Sequence, residues 1–142
     1  MVYFKVVFKL KDDLKVTLGE FTVVKHFWIS CAHFLKNVDR CENLHGHNYK
    51  ITFCLKGKKL DQNDMLLDFR EVKRTVKETF DHKCLNDLSI FKKGNFLPTT
   101  EMFAKVIFDT INNLCKMKEN APLLKWVEVE ETDEVYVRYE EF

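Results

Sequence analysis

The sequence predicts an α+β domain: an antiparallel β-sheet with two helices on one face. Three observations predict it. Several segments alternate apolar and polar residues, the two-residue period of a half-buried strand. Two others carry apolar residues at helical spacing behind a capping residue. Their order along the chain is strands, helices, strands, which places helices on one side of a sheet rather than interleaving them in parallel βαβ units.

Tyr3 to Leu10 and a segment from about Thr17 to Ser30 are rich in Val, Phe and Ile and are separated by the polar Lys11-Asp12-Asp13. They read as antiparallel strands, with His33 just after the second. From Lys36 to Asn43 the composition turns polar, which reads as a loop carrying Cys41. His45 to Lys56 then alternates, with His45, His47, Tyr49, Ile51, Phe53 and Leu55 on one face and Lys50, Thr52, Cys54 and Lys56 on the other. Cys54 therefore reads as a packing cysteine. Asp68 with Glu71 three residues on is a helix-start signature, and Phe69, Val72, Val76 and Phe80 follow at helical spacing. A second helix begins after Pro98 with Thr99 as its cap, burying Phe103, Val106, Ile107, Thr110, Ile111 and Leu114. Both stripes read as core. The chain closes with a hairpin, Trp126 to Glu131 and Val135 to Tyr139 around Thr132-Asp133-Glu134. The sequence has no internal repeat and no low-complexity segment.

A chain of 142 residues reads as a single domain, 1–142, able to bury about two-thirds of its unfolded surface. Apolar residues at 46% argue for a packed core, and two prolines and four glycines leave little room for long loops. A formal charge of +1 lacks the basic excess that nucleic-acid backbones or anionic membranes demand, so neither is expected as a partner. The clusters Lys56, Lys58, Lys59 and Lys92, Lys93 read as solvated surface or as help in holding a polyphosphate. Five cysteines form no Cys-x-x-Cys pair, which argues against a disulfide framework and for a reducing, cytoplasmic setting. Met1 to Leu10 interleaves Lys5 and Lys9 with apolar positions, so it lacks the continuous apolar core of a secretory signal or membrane span.

The chemistry concentrates in Cys41-Glu42-Asn43-Leu44-His45-Gly46-His47, together with His33. A strand sends residues i and i+2 to one face about 6 to 7 Å apart, so His45 and His47 can converge on one cation. Gly46 between them is expected to keep bulk away from that spot. Three neutral nitrogen ligands leave a fourth tetrahedral position open, the mark of a zinc site that does chemistry. A nearby cation favours thiolate over thiol, which suits Cys41 to act as a base. The pair His45 and His47 alone is more often an ordinary half-buried pair than a metal site.

Further motifs recur in one order: Ile29-Ser30-Cys31-Ala32-His33-Phe34-Leu35, Leu44-His45-Gly46-His47-Asn48-Tyr49, Met65-Leu66-Leu67-Asp68-Phe69, Asp81-His82-Lys83, Pro98-Thr99-Thr100-Glu101 and Val129-Glu130-Glu131-Thr132-Asp133. From about Phe21 to Tyr139 the chain resembles the 6-pyruvoyl-tetrahydropterin synthase family. The short spacing from Cys41 to His45 is most like its 6-carboxy-tetrahydropterin synthase branch in queuosine biosynthesis.

The resemblance implies the tunnelling fold (T-fold), with three subunits joining their sheets into a β-barrel and two such rings stacking into a homohexamer. It implies Zn²⁺ on His33, His45 and His47, and a lyase acting on 7,8-dihydroneopterin triphosphate. The expected products are 6-carboxy-tetrahydropterin, acetaldehyde and triphosphate, or 6-pyruvoyl-tetrahydropterin from the same site. Cys41, Asp81 and His82 are the implied catalytic set, with the Asp81 carboxylate holding the His82 tautomer. Without the resemblance, Asp81 would read as a helix end and His82 as a surface histidine. Glu131 is the implied acceptor for the pterin 2-amino and N3 edge, with Glu130 on the other side of the strand. Thr99, Thr100 and Glu101 resemble the second ring-binding segment, although a helix cap accounts for the threonines almost as well. His26 matches no motif. A non-catalytic pterin- or metal-binding module is the reading from another class, and keeping the thiol, Asp81-His82 and Glu131 together argues against it.

Overall fold

A computed structural model describes residues 19–142. The strand expected at Tyr3 to Leu10 lies outside the described residues. Two long strands open the structure, β1 (Phe21–His33) and β2 (His45–Gly57), followed by helix α1 (Phe69–Phe80) and a two-residue strand β3 (Lys83–Cys84). A short helix α2 (Ser89–Gly94), a long helix α3 (Thr100–Lys116) and the hairpin β4 (Leu123–Thr132) and β5 (Val135–Glu140) complete it. They form a five-stranded sheet in the order β3-β1-β2-β4-β5, antiparallel except where β3 runs parallel to β1.

The alternation seen in the sequence becomes two faces of one sheet. Phe27, Ile29, Cys31, Tyr49, Ile51, Phe53, Val127 and Val129 are buried beneath the helices. Val72, Val76 and Phe80 of α1 and Phe103, Ile107 and Ile111 of α3 meet them. Phe69, expected in the first stripe, is 41% exposed, and Thr110 is only half-buried, its hydroxyl donating to the Val106 carbonyl instead. On the opposite face Lys50 pairs with Glu130 at 3.3 Å, and Arg138 stacks on Trp126 while paired with Glu128.

Asp68 caps α1 as expected, accepting from the Arg70 amide at 2.9 Å, and Thr99 caps α3, accepting from Met102. Glu71 does not close a capping box, because its carboxylate binds Lys118 at 2.8 Å, tying α1 to the end of α3. The expectation of two helices is short by one. Helix α2 has six residues, too few for a helical period to register, and no side-chain cap announces it. No helix among the described residues is long and apolar enough to cross a membrane.

Candidate metal centre

The antiparallel register of β1 and β2 builds the site. His33 and His45 are the last pair of that ladder, and His47 lies opposite Cys31 two residues in. Odd-numbered residues of both strands face the helices, so all three imidazoles point to the same side. Their ligand nitrogens lie within 4.8 Å of one another, the one such group of His, Cys, Asp or Glu side chains among the described residues.

Proton placement tests whether a cation fits there. His33 Nδ1 lies 2.8 Å from the Pro98 carbonyl oxygen and His45 Nδ1 lies 2.7 Å from the Asn43 carbonyl oxygen. A carbonyl only accepts, so both Nδ1 atoms carry the proton and both Nε2 atoms of the neutral rings present lone pairs. Those two Nε2 atoms face each other at 3.1 Å. Two lone pairs at that distance repel unless a cation lies against them, and tetrahedral ligands with bonds of ~2.0–2.1 Å stand about 3.3 Å apart. The donor set therefore fits a metal ion, with carbonyls behind the rings fixing their orientation. Burial holds the His47 pKa below the ordinary histidine value against the opposing pull of Glu131, which keeps that ring in its ligand form.

Glu131, at the end of β4, brings one carboxylate oxygen to 3.6 Å from Nε2 of both His33 and His47. The buried Tyr49 hydroxyl donates to the same oxygen at 3.4 Å, and the Tyr49 ring packs edgewise against Phe103 of α3. Burial, reinforced by that carboxylate, pushes the Tyr49 hydroxyl far above its ordinary range, so it is a fixed donor. Tyr49 was legible only as a core position on the histidine face. Nothing in its spacing announced a partner 82 residues away.

Cys41 sits half-buried in a 3₁₀ turn (Asp39–Glu42) within the expected loop, outside the ligand group. Its neighbour in type, Cys31, is buried against the Phe80 carbonyl, and burial with Asp81 pushes its thiol up to about 12. Gly46 faces away from the imidazoles, since it is the intervening residue of the strand. A Cβ there would stand 3.4 Å from the Cys31 carbonyl oxygen, so its smallness serves the opposite face of the sheet, not the metal spot.

The Asp81-His82 pairing expected from sequence is not made. His82 Nε2 lies 3.9 Å from the Asp81 carboxylate, too far for a hydrogen bond. Asp81 instead accepts from the Ser30 amide at 2.8 Å and pairs with Lys77 at 3.2 Å. His82 adopts φ 56, its amide donates to the Ser30 carbonyl, and its ring is 83% exposed. The left-handed turn that carries the chain from α1 into β3 swings the ring out to solvent. Thr99 is spent as the α3 cap, Thr100 is buried, and Glu101 is exposed on the first turn of α3. That segment lies beside the imidazoles through Pro98.

The family model for 6-pyruvoyl tetrahydropterin synthase matches residues 22–141. The chain belongs to this tetrahydropterin synthase family. The 6-carboxy-5,6,7,8-tetrahydropterin synthase of Bacillus subtilis is 35% identical over 123 residues, covering 84% of each chain. A 6-pyruvoyl tetrahydrobiopterin synthase of Drosophila melanogaster is 31% identical over 118 residues, covering 78% of this chain and 67% of that one. The structure of the Caenorhabditis elegans 6-pyruvoyl tetrahydropterin synthase superposes with a TM-score of 0.70 at 26% identity, covering 88% of this chain and 98% of that chain. The tetrahydropterin synthase fold is thus the one observed, with three helices on the sheet rather than two.

Proposed function

We propose that this tetrahydropterin synthase is a zinc-dependent lyase converting 7,8-dihydroneopterin triphosphate to 6-carboxy-5,6,7,8-tetrahydropterin, with release of acetaldehyde and triphosphate, in 7-deazaguanine (queuosine) biosynthesis. The observation that carries it is the convergence of three imidazoles whose lone pairs meet at one point, in a chain 35% identical to a protein of that name.

Zinc suits three neutral nitrogens, and it would supply Lewis-acid polarisation of the substrate's side-chain hydroxyls. His33, His45 and His47 hold it. Cys41 takes the carbon-bound proton, a role supported by its being half-buried rather than sealed in the core and by its position outside the ligand group. Asp81 and His82 serve the second proton transfer, with Asp81 fixing the turn on which the exposed His82 ring stands rather than bonding that ring.

The 2-amino and N3 edge of a pterin lies across both fused rings from its side chain. A carboxylate 3.6 Å from the ligand nitrogens is therefore at the side-chain end of the substrate, and Glu131 belongs there as an acceptor for hydroxyl protons. Thr100 and Glu101, with Thr99 capping their helix, take the ring edge.

The assembly we propose is a homotrimer or a homohexamer built of two trimer rings, with sheets joined edge to edge. Its support is that among the described residues the outer edge of β5, and β1 ahead of its short pairing with β3, have no strand partner. A cytoplasmic location is supported by five cysteines without a disulfide.

Incubating the metal-loaded protein with the triphosphate and weighing the product tests the reaction. The mass of 6-carboxy-tetrahydropterin with free acetaldehyde is expected. The 6-pyruvoyl product would select the second reading, which the Drosophila relative favours. Unchanged substrate beside fully metal-loaded protein would defeat both.

A further inference from the structure

Asn86 lies in the 3₁₀ turn Leu85–Asp87 that follows β3, with Leu85 buried beneath it. Its side chain bonds both backbone groups of one distant residue, and Oδ1 also faces the Cys84 thiol at 3.9 Å. The amide N–H of Phe34 donates to Asn86 Oδ1 at 2.9 Å, and Asn86 Nδ2 donates to the Phe34 carbonyl at 2.9 Å. Strand β3 pairs with β1 only at Cys31 and Ala32. Where its backbone turns away, the carboxamide continues the pairing to Phe34, acting as a one-residue strand.

Phe34 is the residue next to the metal ligand His33 and the first of the excursion that ends at His45. Its neighbour Leu35 donates its amide to the Cys41 carbonyl at 2.7 Å, and the Cys41 amide donates to Val38 at 2.8 Å. A short chain of hydrogen bonds therefore runs from Asn86 through Phe34 and Leu35 to Cys41. Asn86, Phe34 and Leu35 lie outside the group of three imidazoles.

We propose that Asn86 is a positioning residue: by clamping Phe34 it sets where the Cys41 thiol stands relative to the three imidazoles. The inference rests on the reading of Cys41 as base and the imidazoles as ligands. A carboxamide accepts and donates at once, so ionised aspartate keeps the accepting half of the clamp and leucine keeps neither.

The test uses the full chain loaded with Zn²⁺ or Co²⁺, comparing Asn86→Asp and Asn86→Leu with Asn120→Ala. Asn120, in the α3–β4 connection, donates twice through Nδ2, to the Lys59 and Leu66 carbonyls of the β2–α1 connection. In both Asn86 variants the metal is retained, the Co²⁺ visible absorption shifts, and alkylation of Cys41 by iodoacetamide, read by peptide mass, changes roughly fivefold or more. Their kcat falls roughly tenfold or more with KM nearly unchanged, Asn86→Asp less than Asn86→Leu. Asn120→Ala lowers the melting temperature alone.

Folded Asn86→Asp with the wild-type labelling rate and kcat overturns the proposal, as does Asn120→Ala altering Cys41 labelling as much as Asn86→Leu. If Asn86→Leu does not fold, Asn86→Asp decides. Labelling and the cobalt spectrum need no substrate. A failure of the proposed reaction would thus appear separately, as wild-type protein without turnover in which these shifts persist.

Discussion

His33 and His45 are neighbours across a ladder, yet what gives them chemistry is the pair of carbonyls behind them. Those carbonyls take the Nδ1 protons and leave Nε2 lone pairs 3.1 Å apart. His45→Ala is expected to lose both metal and turnover, whereas Cys41→Ala keeps its metal and loses turnover. Metal analysis beside the product assay separates them, and full activity in the cysteine variant removes Cys41 from the base role. The thiols also differ in reactivity. Burial pushes Cys115 up to about 11, so at about pH 8 alkylation should reach Cys41 and spare Cys115 in the folded protein. Asp81 carries a pH prediction of definite sign. Burial alone would raise its pKa, but the Ser30 amide and Lys77 outweigh that and hold it below the ordinary carboxylate value. Its stabilisation is therefore complete above the ordinary carboxylate range and is lost as pH falls through the lowered native value. Asp81→Asn should cost on the order of 1 kcal/mol at neutral pH and flatten the loss of stability below about pH 4, read by urea unfolding.

At the scale of elements, the two long helices and the long strands were legible because period and caps recur over many residues. Asp68 and Thr99 stand at their caps, and the hairpin turns at Thr132. Helix α2, strand β3 and the 3₁₀ turns were not, since elements of two to six residues are held by tertiary contacts rather than by a pattern of their own. The Thr99 cap bears on function. Thr99→Ala should cost ~1 kcal/mol of stability, and a KM for the pterin substrate that stays unchanged would assign that residue to the helix alone. Phe103 of α3 touches Tyr49, Phe80 and Phe91 and is fully buried. Phe103→Ala should cost about 3–5 kcal/mol by thermal or urea unfolding, and the loosened Tyr49 should weaken metal retention as well.

For the whole molecule, the metal and the assembly are the two quantities that local contacts leave open. An ion that binds only the native site stabilises it by roughly 4 kcal/mol when present at a thousand times its dissociation constant. Removal by chelation should therefore lower the melting temperature and abolish turnover, and Zn²⁺ should restore both. A melting temperature indifferent to zinc would count against the site. Native mass should be a multiple of three chains. A monomer at working concentration would remove the barrel from the proposal.

The sequence by itself determined the sheet with helices on one face, the inward side of β2, and the candidate ligands, because strand alternation and helical period are local consequences of backbone geometry. Tertiary structure decided which side chains meet. It drew Pro98 to His33, Tyr49 and Glu131 to the imidazoles, and Asn86 to Phe34, and it parted His82 from Asp81. Glu131 meets Tyr49 and the imidazoles through strand register, and His82 leaves Asp81 at a turn of positive φ. Such features couple residues tens of positions apart, and no local period encodes them.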